Sequence, residues 1–149
     1  MSAGNKVLRD IVTDLEAVLN KCGVMYHVFY RTKSEMSIKN KLGKKSEEYR
    51  KANKKMQDLL ALRITLYFTD DVELVHNYLK SQSNFDSESV DEAEVDKFCP
   101  KRLNLVMRVP NNLQQDMKAA IKETGYEDLI DNTYDCLLYT SPSPRDGLL

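Results

Sequence analysis

The sequence predicts a layered α+β domain built on a mixed sheet flanked by helices. Three observations predict it. Apolar residues recur at helical spacing over residues 7–22, 72–80 and 113–121. Between them, 59–68 and 103–109 are apolar runs with the alternation or β-branched and aromatic content of buried strands. The two patterns interleave along the chain, which is the signature of helices layered on a sheet. At 149 residues with a net charge of −1, the chain fits one domain with a real core, and bulk attraction to nucleic acid or an anionic membrane is not expected.

Val7, Ile11, Leu15, Val18, Leu19 and Cys22 predict the first helix, ended by Gly23. Val24 to Tyr30 reads as a short extended lead into Arg31. Ser37, Lys41 and Lys45 then share one face of a cationic helix while Ile38 and Leu42 face the core, with Ser34 or Ser37 as cap. Gly43 is expected to end that helix, and Ser46 to Ala61 to form a second one carrying Met56, Leu59 and Leu60 inward. After the strand ending at Phe68, Asp70 with Glu73 three residues on predicts a capping box for the helix through Lys80. Residues 81–96 read as an acidic exposed connection with a short edge strand over 85–90. A second strand covers Leu103 to Val109, and Asn111 or Asn112 caps a helix stopped by Gly125. A third strand is expected over Leu129 to Tyr134.

Charge is unevenly spread. From Arg31 to Lys55 there are ten cations against three acids, whereas Asp70 to Asp96 carries nine acids against Lys80. No apolar run reaches the roughly 20 residues that span a bilayer, and the N-terminus lacks a signal-peptide core, so a cytoplasmic location is expected. Cys22, Cys99 and Cys136 have no metal-ligand spacing and read as free thiols; His27 and His76 stand alone.

The stretch Phe29 to Phe68 carries the chemistry. Arg31 and Lys33 are two apart and share one face of an extended backbone. With Ser37, Lys41 and Lys45 they can converge on one anion. Asp58 directly precedes the strand, and magnesium is held by one or two carboxylates plus substrate phosphates. A polyphosphate bound by the cations would bring the ion to Asp58, which implies phosphoryl or pyrophosphoryl transfer. Taken singly, a cationic helix is a solvated face and an Asp before a strand is a cap or ion-pair partner.

Arg31-x-Lys33-x-x-x-Ser37-Ile38-x-x-Lys41-Leu42 followed by Asp58-Leu59-x-x-Leu62-Arg63-Ile64 resembles the synthetase domain of the RelA/SpoT family of (p)ppGpp synthetases. The resemblance implies a nucleotidyltransferase-like fold and magnesium-dependent transfer of pyrophosphate from ATP to the 3′-hydroxyl of GDP or GTP. It implies Arg31, Lys33 and Lys41 as ATP-phosphate ligands, Ser37 as part of the donor site, Asp58 as the Mg2+ ligand and Arg63 as a donor-base contact. Ala61 stands where the family has glycine. Alternatives are a related toxin-type transferase acting on adenine nucleotides or a tRNA 3′ end, and a non-catalytic module in which residues 31–55 dock RNA or an acidic protein surface. Nucleic acid enters only through those alternatives, no membrane partner is expected, and self-association stays open.

Cys136 to Asp146, CLLYTSPSPRD, admits a reading as a strand end running into a Pro/Ser-rich tail. It also resembles, residue for residue, the in-frame translation of a transposase adapter used in sequencing libraries. Residues 1–135 are then a partial synthetase domain and 136–149 a non-native tail whose deletion should not destabilise the rest. On this reading Asp135 stands at the first position of the family's Glu-x-Gln-x-Arg strand, whose glutamate completes the catalytic pair. The Gln and Arg are absent, the fold is incomplete at its C-terminus, and the 149-residue chain is expected to be catalytically silent.

Overall fold

The computed structural model describes residues 2–91 and 102–140. Cys99, the acidic residues 92–96 and residues 141–149 of the tail lie outside them. Element order is α1 (Ser2–Cys22), β1 (Tyr26–Thr32), α2 (Glu35–Lys51), β2 (Leu60–Leu66), α3 (Thr69–Ser81), β3 (Phe85–Asp91), β4 (Arg102–Arg108), α4 (Gln114–Thr124) and β5 (Thr133–Thr140). Short 3-10 turns occupy Asn111–Leu113 and Glu127–Leu129. The five strands form one sheet in the order β1-β2-β5-β4-β3. β2 and β5 are parallel and the other pairs antiparallel, so the expected mixed α+β sheet is present.

Burial alternates along the inner strands. Leu60, Leu62, Ile64 and Leu66 of β2, Tyr134, Cys136 and Leu138 of β5, and Leu103, Leu105 and Met107 of β4 are buried. They join one core with Val7, Leu8, Ile11, Leu15 and Leu19 of α1, Val72, Val75 and Leu79 of α3, and Met117 and Ile121 of α4. The intervening positions Ala61, Arg63, Thr65, Asp135, Leu137, Tyr139 and Asn104 are half-buried or exposed. Since successive strand residues point to opposite faces, the helices cover one face and leave the other open. Ion pairing of Lys6 with Asp116 at 2.9 Å ties α1 to α4.

Several expected elements are redrawn. Residues 35–51 form one helix that runs through Gly43. Ile38, Leu42 and Tyr49 keep one buried stripe across the glycine, and that burial outweighs a cost of about 1 kcal/mol for glycine in a helix. The second helix expected over 46–61 does not form beyond Lys51. Asn53 takes a left-handed backbone (φ 52°), and Met56 bridges Ile130 as an isolated parallel pair. The spacing of Met56, Leu59 and Leu60, read as helical, belongs to an extended segment whose backbone bonds go to Leu129 and Asp131.

Helix α3 starts at Thr69 with Phe68 at its N-cap and no side-chain cap, so the expected Asp70 capping box is absent. Asp70 and Asp71 instead lie in its first turn, where the helix dipole favours acids. The strand expected over 129–134 runs from 133 to 140, after a 3-10 turn that buries Leu129. β5 therefore includes Cys136 to Thr140. Cys136 and Leu138, 1 % and 0 % exposed, overturn the expectation that removing residues 136–149 is neutral. Gly125 ends α4 in the left-handed region (φ 81°), as expected of a glycine stop. Among the described residues, Cys22 and Cys136 are free thiols, and no helix is long and apolar enough to cross a membrane.

Candidate active site

The open sheet face and the segment between α2 and β2 bring the predicted residues together. Lys33 follows directly on β1, and Lys41 stands on the second turn of α2. Their Nζ atoms meet the two carboxylate oxygens of Asp58 at 2.8 Å (Oδ2) and 3.3 Å (Oδ1). Asp58 is placed by the extended segment before β2, which the Met56–Ile130 bridge pins to the lead into β5. Burial by itself would raise its pKa, but the hydrogen bond and charge of Lys33, and then those of Lys41, outweigh burial and hold Asp58 below the usual range. Asp58 is therefore ionised at neutral pH.

Asp135 faces the same place from β5, opposite Ala61 in the parallel ladder, which in turn lies opposite Arg31. Burial first, and then repulsion from Asp58, push its pKa up to about 6; Lys41 and Lys33 offset this only in part. The two carboxylates thus differ in character: one is held charged by ammonium groups and the other is poised close to neutrality.

Two cavities meet at Asp135 and Asn104. One, of about 370 Å3, is lined by Phe29, Tyr30, Arg31, Ala61, Arg63 and Asp135, with Asn104 and Leu137 closing it. The other, of about 260 Å3, is lined by Lys41, Tyr49, Lys54, Lys55, Gln57 and Asp58, and again by Asn104 and Asp135. Arg31 and Arg63 therefore share one chamber. Ser37 is not brought into either. It is exposed in the first turn of α2, where its Oγ accepts from Ser34 Oγ at 2.9 Å and its backbone N–H donates to Ser34 Oγ at 3.2 Å. Gln57, Asn104, Lys54 and Lys55 were not singled out from sequence. Asn104, a polar residue between two buried leucines of a strand, was the readable signal.

Among the described residues no group of three His, Cys, Asp or Glu side chains could hold a metal ion unaided. Magnesium does not need one, because phosphate oxygens and water complete its shell. An ionised, half-buried carboxylate beside two ammonium groups that can pass to phosphate fits that requirement.

Asp135 also makes a pH prediction. Its folded pKa of about 6 lies above its ordinary 3.8, so the folded chain holds a proton that the unfolded chain releases. The Asp135 contribution is fully favourable below about pH 4 and is lost as pH rises to about 6. Asp135→Asn should raise the melting temperature at pH 7.5 and change it little at pH 4. An equal shift at both pH values would contradict the charge account.

Residues 30–130 match the region found in RelA / SpoT proteins. The chain belongs to the RelA/SpoT family. Solved structures share the RelA/SpoT fold. Small alarmone synthetase 1 from Bacillus subtilis is 20% identical with a TM-score of 0.63, over 93% of this chain and 68% of that one. Small alarmone synthetase 2 from the same organism is 21% identical with a TM-score of 0.60, over 92% and 68%. A GTP pyrophosphokinase family protein from Streptococcus pneumoniae is 15% identical with a TM-score of 0.60, over 93% and 66%. The Bacillus subtilis synthetase 1 has been solved with its product pppGpp and with AMPCPP. No curated protein sequence matches this chain. At these identities the likeness is one of fold, and this RelA/SpoT chain spans about two thirds of the length of each neighbour.

Proposed function

We propose that the parent protein transfers pyrophosphate from ATP to the 3′-hydroxyl of GDP or GTP in a magnesium-dependent reaction, making (p)ppGpp. The observation that carries this is Asp58 gripped between Lys33 and Lys41 and facing Asp135, with Arg31 and Arg63 in the adjoining chamber. ATP would lay its base between those arginines and its phosphates against Lys33 and Lys41, with Ser37 one helical turn before Lys41 at the donor end. Asp58 would hold Mg2+ together with the donor phosphates, and the ion supplies charge neutralisation when bound. The acceptor 3′-oxygen bonds to the β-phosphorus, the bond to the AMP oxygen breaks, and the hydroxyl proton passes to Asp135. A carboxylate titrating near 6 suits that exchange at neutral pH. Catalysis would come mainly from positioning and charge stabilisation.

We also propose that residues 136–149 are adapter-derived. Leu137 and Tyr139, two and four residues after Asp135, then stand on the open face where the family's Gln and Arg belong. The chain as it stands would bind the donor without transferring. Labelled ATP, Mg2+ and GDP or GTP supplied to this chain should give no pyrophosphorylated guanosine. The native continuation after residue 135, read from an independent library and expressed, should give it. Product from the present chain would contradict the tail reading, and none from the native protein would contradict the proposed function.

A further inference from the structure

Thr32 is the last residue of β1 and stands between Arg31 and Lys33. Arg31 lines the chamber it shares with Arg63, and Lys33 reaches Asp58 at 2.8 Å. By strand alternation Thr32 points the other way, to the face on which Tyr26 and Val28 pack against the core. There its Oγ1–H donates to Asn5 Oδ1 of α1 at 2.9 Å, a bond between residues 27 apart in sequence. Asn5 is exposed, so water could satisfy both groups, and what the bond between them adds is direction rather than burial.

Helix α1 comes this close because residue 4 is glycine, a residue otherwise disfavoured inside a helix. A methyl group there would stand 3.0 Å from Thr32 Cγ2, 3.1 Å from Thr32 Oγ1 and 3.4 Å from Leu60 Cδ2, so any side chain would press on Thr32. The helix is itself fixed, since Val7 and Leu8 are buried in the core and Lys6 pairs with Asp116 on α4. On its other side Thr32 lies opposite the buried Leu60 in the β1–β2 ladder, and the next N–H, that of Lys33, donates to Leu59 O at 2.7 Å. The end of β1 is therefore clamped between a helix and a strand that are both anchored, at the residue from which Lys33 sets off towards Asp58.

We propose that Thr32, locked to α1 through Asn5 and Gly4, is a positioning residue of the donor site: it sets the direction in which the chain leaves β1 and so holds the Lys33 ammonium on Asp58, ready for the donor phosphates. The role of Lys33 towards ATP rests on the pyrophosphate-transfer reading, whereas the clamp on Lys33 is a property of the free chain. α1 thereby joins the site without touching the nucleotide.

The test compares the 149-residue chain with Thr32→Val, which keeps the shape and removes the hydroxyl, with Thr32→Ser, which keeps the hydroxyl, and with Asn5→Ala, which removes the acceptor from an exposed position. Acetylation of lysines by acetic anhydride, read by mass spectrometry without nucleotide, reports how firmly each ammonium is held. In Thr32→Val and Asn5→Ala, labelling of Lys33 should rise at least about twofold while that of Lys41, which meets Asp58 from α2, stays as in wild type; Thr32→Ser should restore the wild-type pattern. Calorimetric titration with Mg·ATP should show binding about three- to tenfold weaker in Thr32→Val and Asn5→Ala, the weight of one neutral hydrogen bond, and near wild type in Thr32→Ser. Equal rises at Lys33 and Lys41, no rise at Lys33, or a serine variant that behaves as the valine one would overturn the positioning role, as would undiminished Mg·ATP binding by Thr32→Val. If wild type binds no Mg·ATP, the transfer reading fails instead, and the labelling of Lys33 still decides whether Thr32 holds it.

Discussion

A chain ending at Asp135 should lose its cooperative unfolding transition. β5 lies between β2 and β4 and bonds to both, so its removal strips two inner strands of a partner at once. It also takes Cys136 and Leu138 out of the core. Emptying one buried leucine site costs about 2–5 kcal/mol, against a total stability of about 5–15 kcal/mol for a typical domain. Truncation at residue 135 exposes the new sheet edges as well, which favours aggregation. Thermal melts followed by circular dichroism check this, and a melting temperature within a few degrees of the full chain would contradict it.

This expectation is compatible with the proposed adapter origin of residues 136–149. A strand between two others asks mainly for alternation and β-compatible side chains. Cys-Leu-Leu-Tyr supplies both, with Cys136 and Leu138 inward and Leu137 and Tyr139 on the open face. Burial pushes the Cys136 thiol up to about 12, so it behaves as a small apolar residue there. What the segment lacks is chemistry on the open face.

The residues proposed for the donor half of the site are legible in the sequence because their spacing follows local periodicity. Arg31 on β1 and Lys33 just beyond it share an extended face, and Lys41 projects from α2 towards the acid that precedes β2. The rest was not legible for physical reasons. Asp58 owes its position to an extended segment stabilised by Met56 and Ile130, a contact between residues far apart in sequence, whereas the local pattern of Met56, Leu59 and Leu60 favoured a helix. The register that sets Asp135 opposite Ala61 comes from parallel pairing of β2 with β5, which no local signal specifies. Gly43 misled because its cost is local and the stripe of Ile38, Leu42 and Tyr49 that overrides it spans the whole helix.

In a protein carrying the native continuation proposed above, Asp58→Asn and Lys41→Ala should each lower transfer by at least about 10²–10³-fold, the scale of losing one preorganised electrostatic contact in a transition state. The fold should survive both changes, because the Lys33–Asp58–Lys41 cluster is partly open to solvent, with side-chain exposures of 20%, 30% and 37% in that order. Asn keeps the volume of Asp58 while leaving two ammonium groups without a counter-charge, so this substitution probes charge rather than packing. Release of labelled product at near wild-type rate by either variant, with an unchanged melting temperature, would remove these residues from the active site.

The most direct measurement titrates ATP into the 149-residue chain by calorimetry with and without Mg2+, alongside Asp58→Asn. ATP should bind only in the presence of Mg2+, and binding should be lost in Asp58→Asn, because the carboxylate held ionised by Lys33 and Lys41 is the proposed meeting point of the metal and the donor phosphates. ATP binding of equal strength without Mg2+, or undiminished in Asp58→Asn, would contradict it.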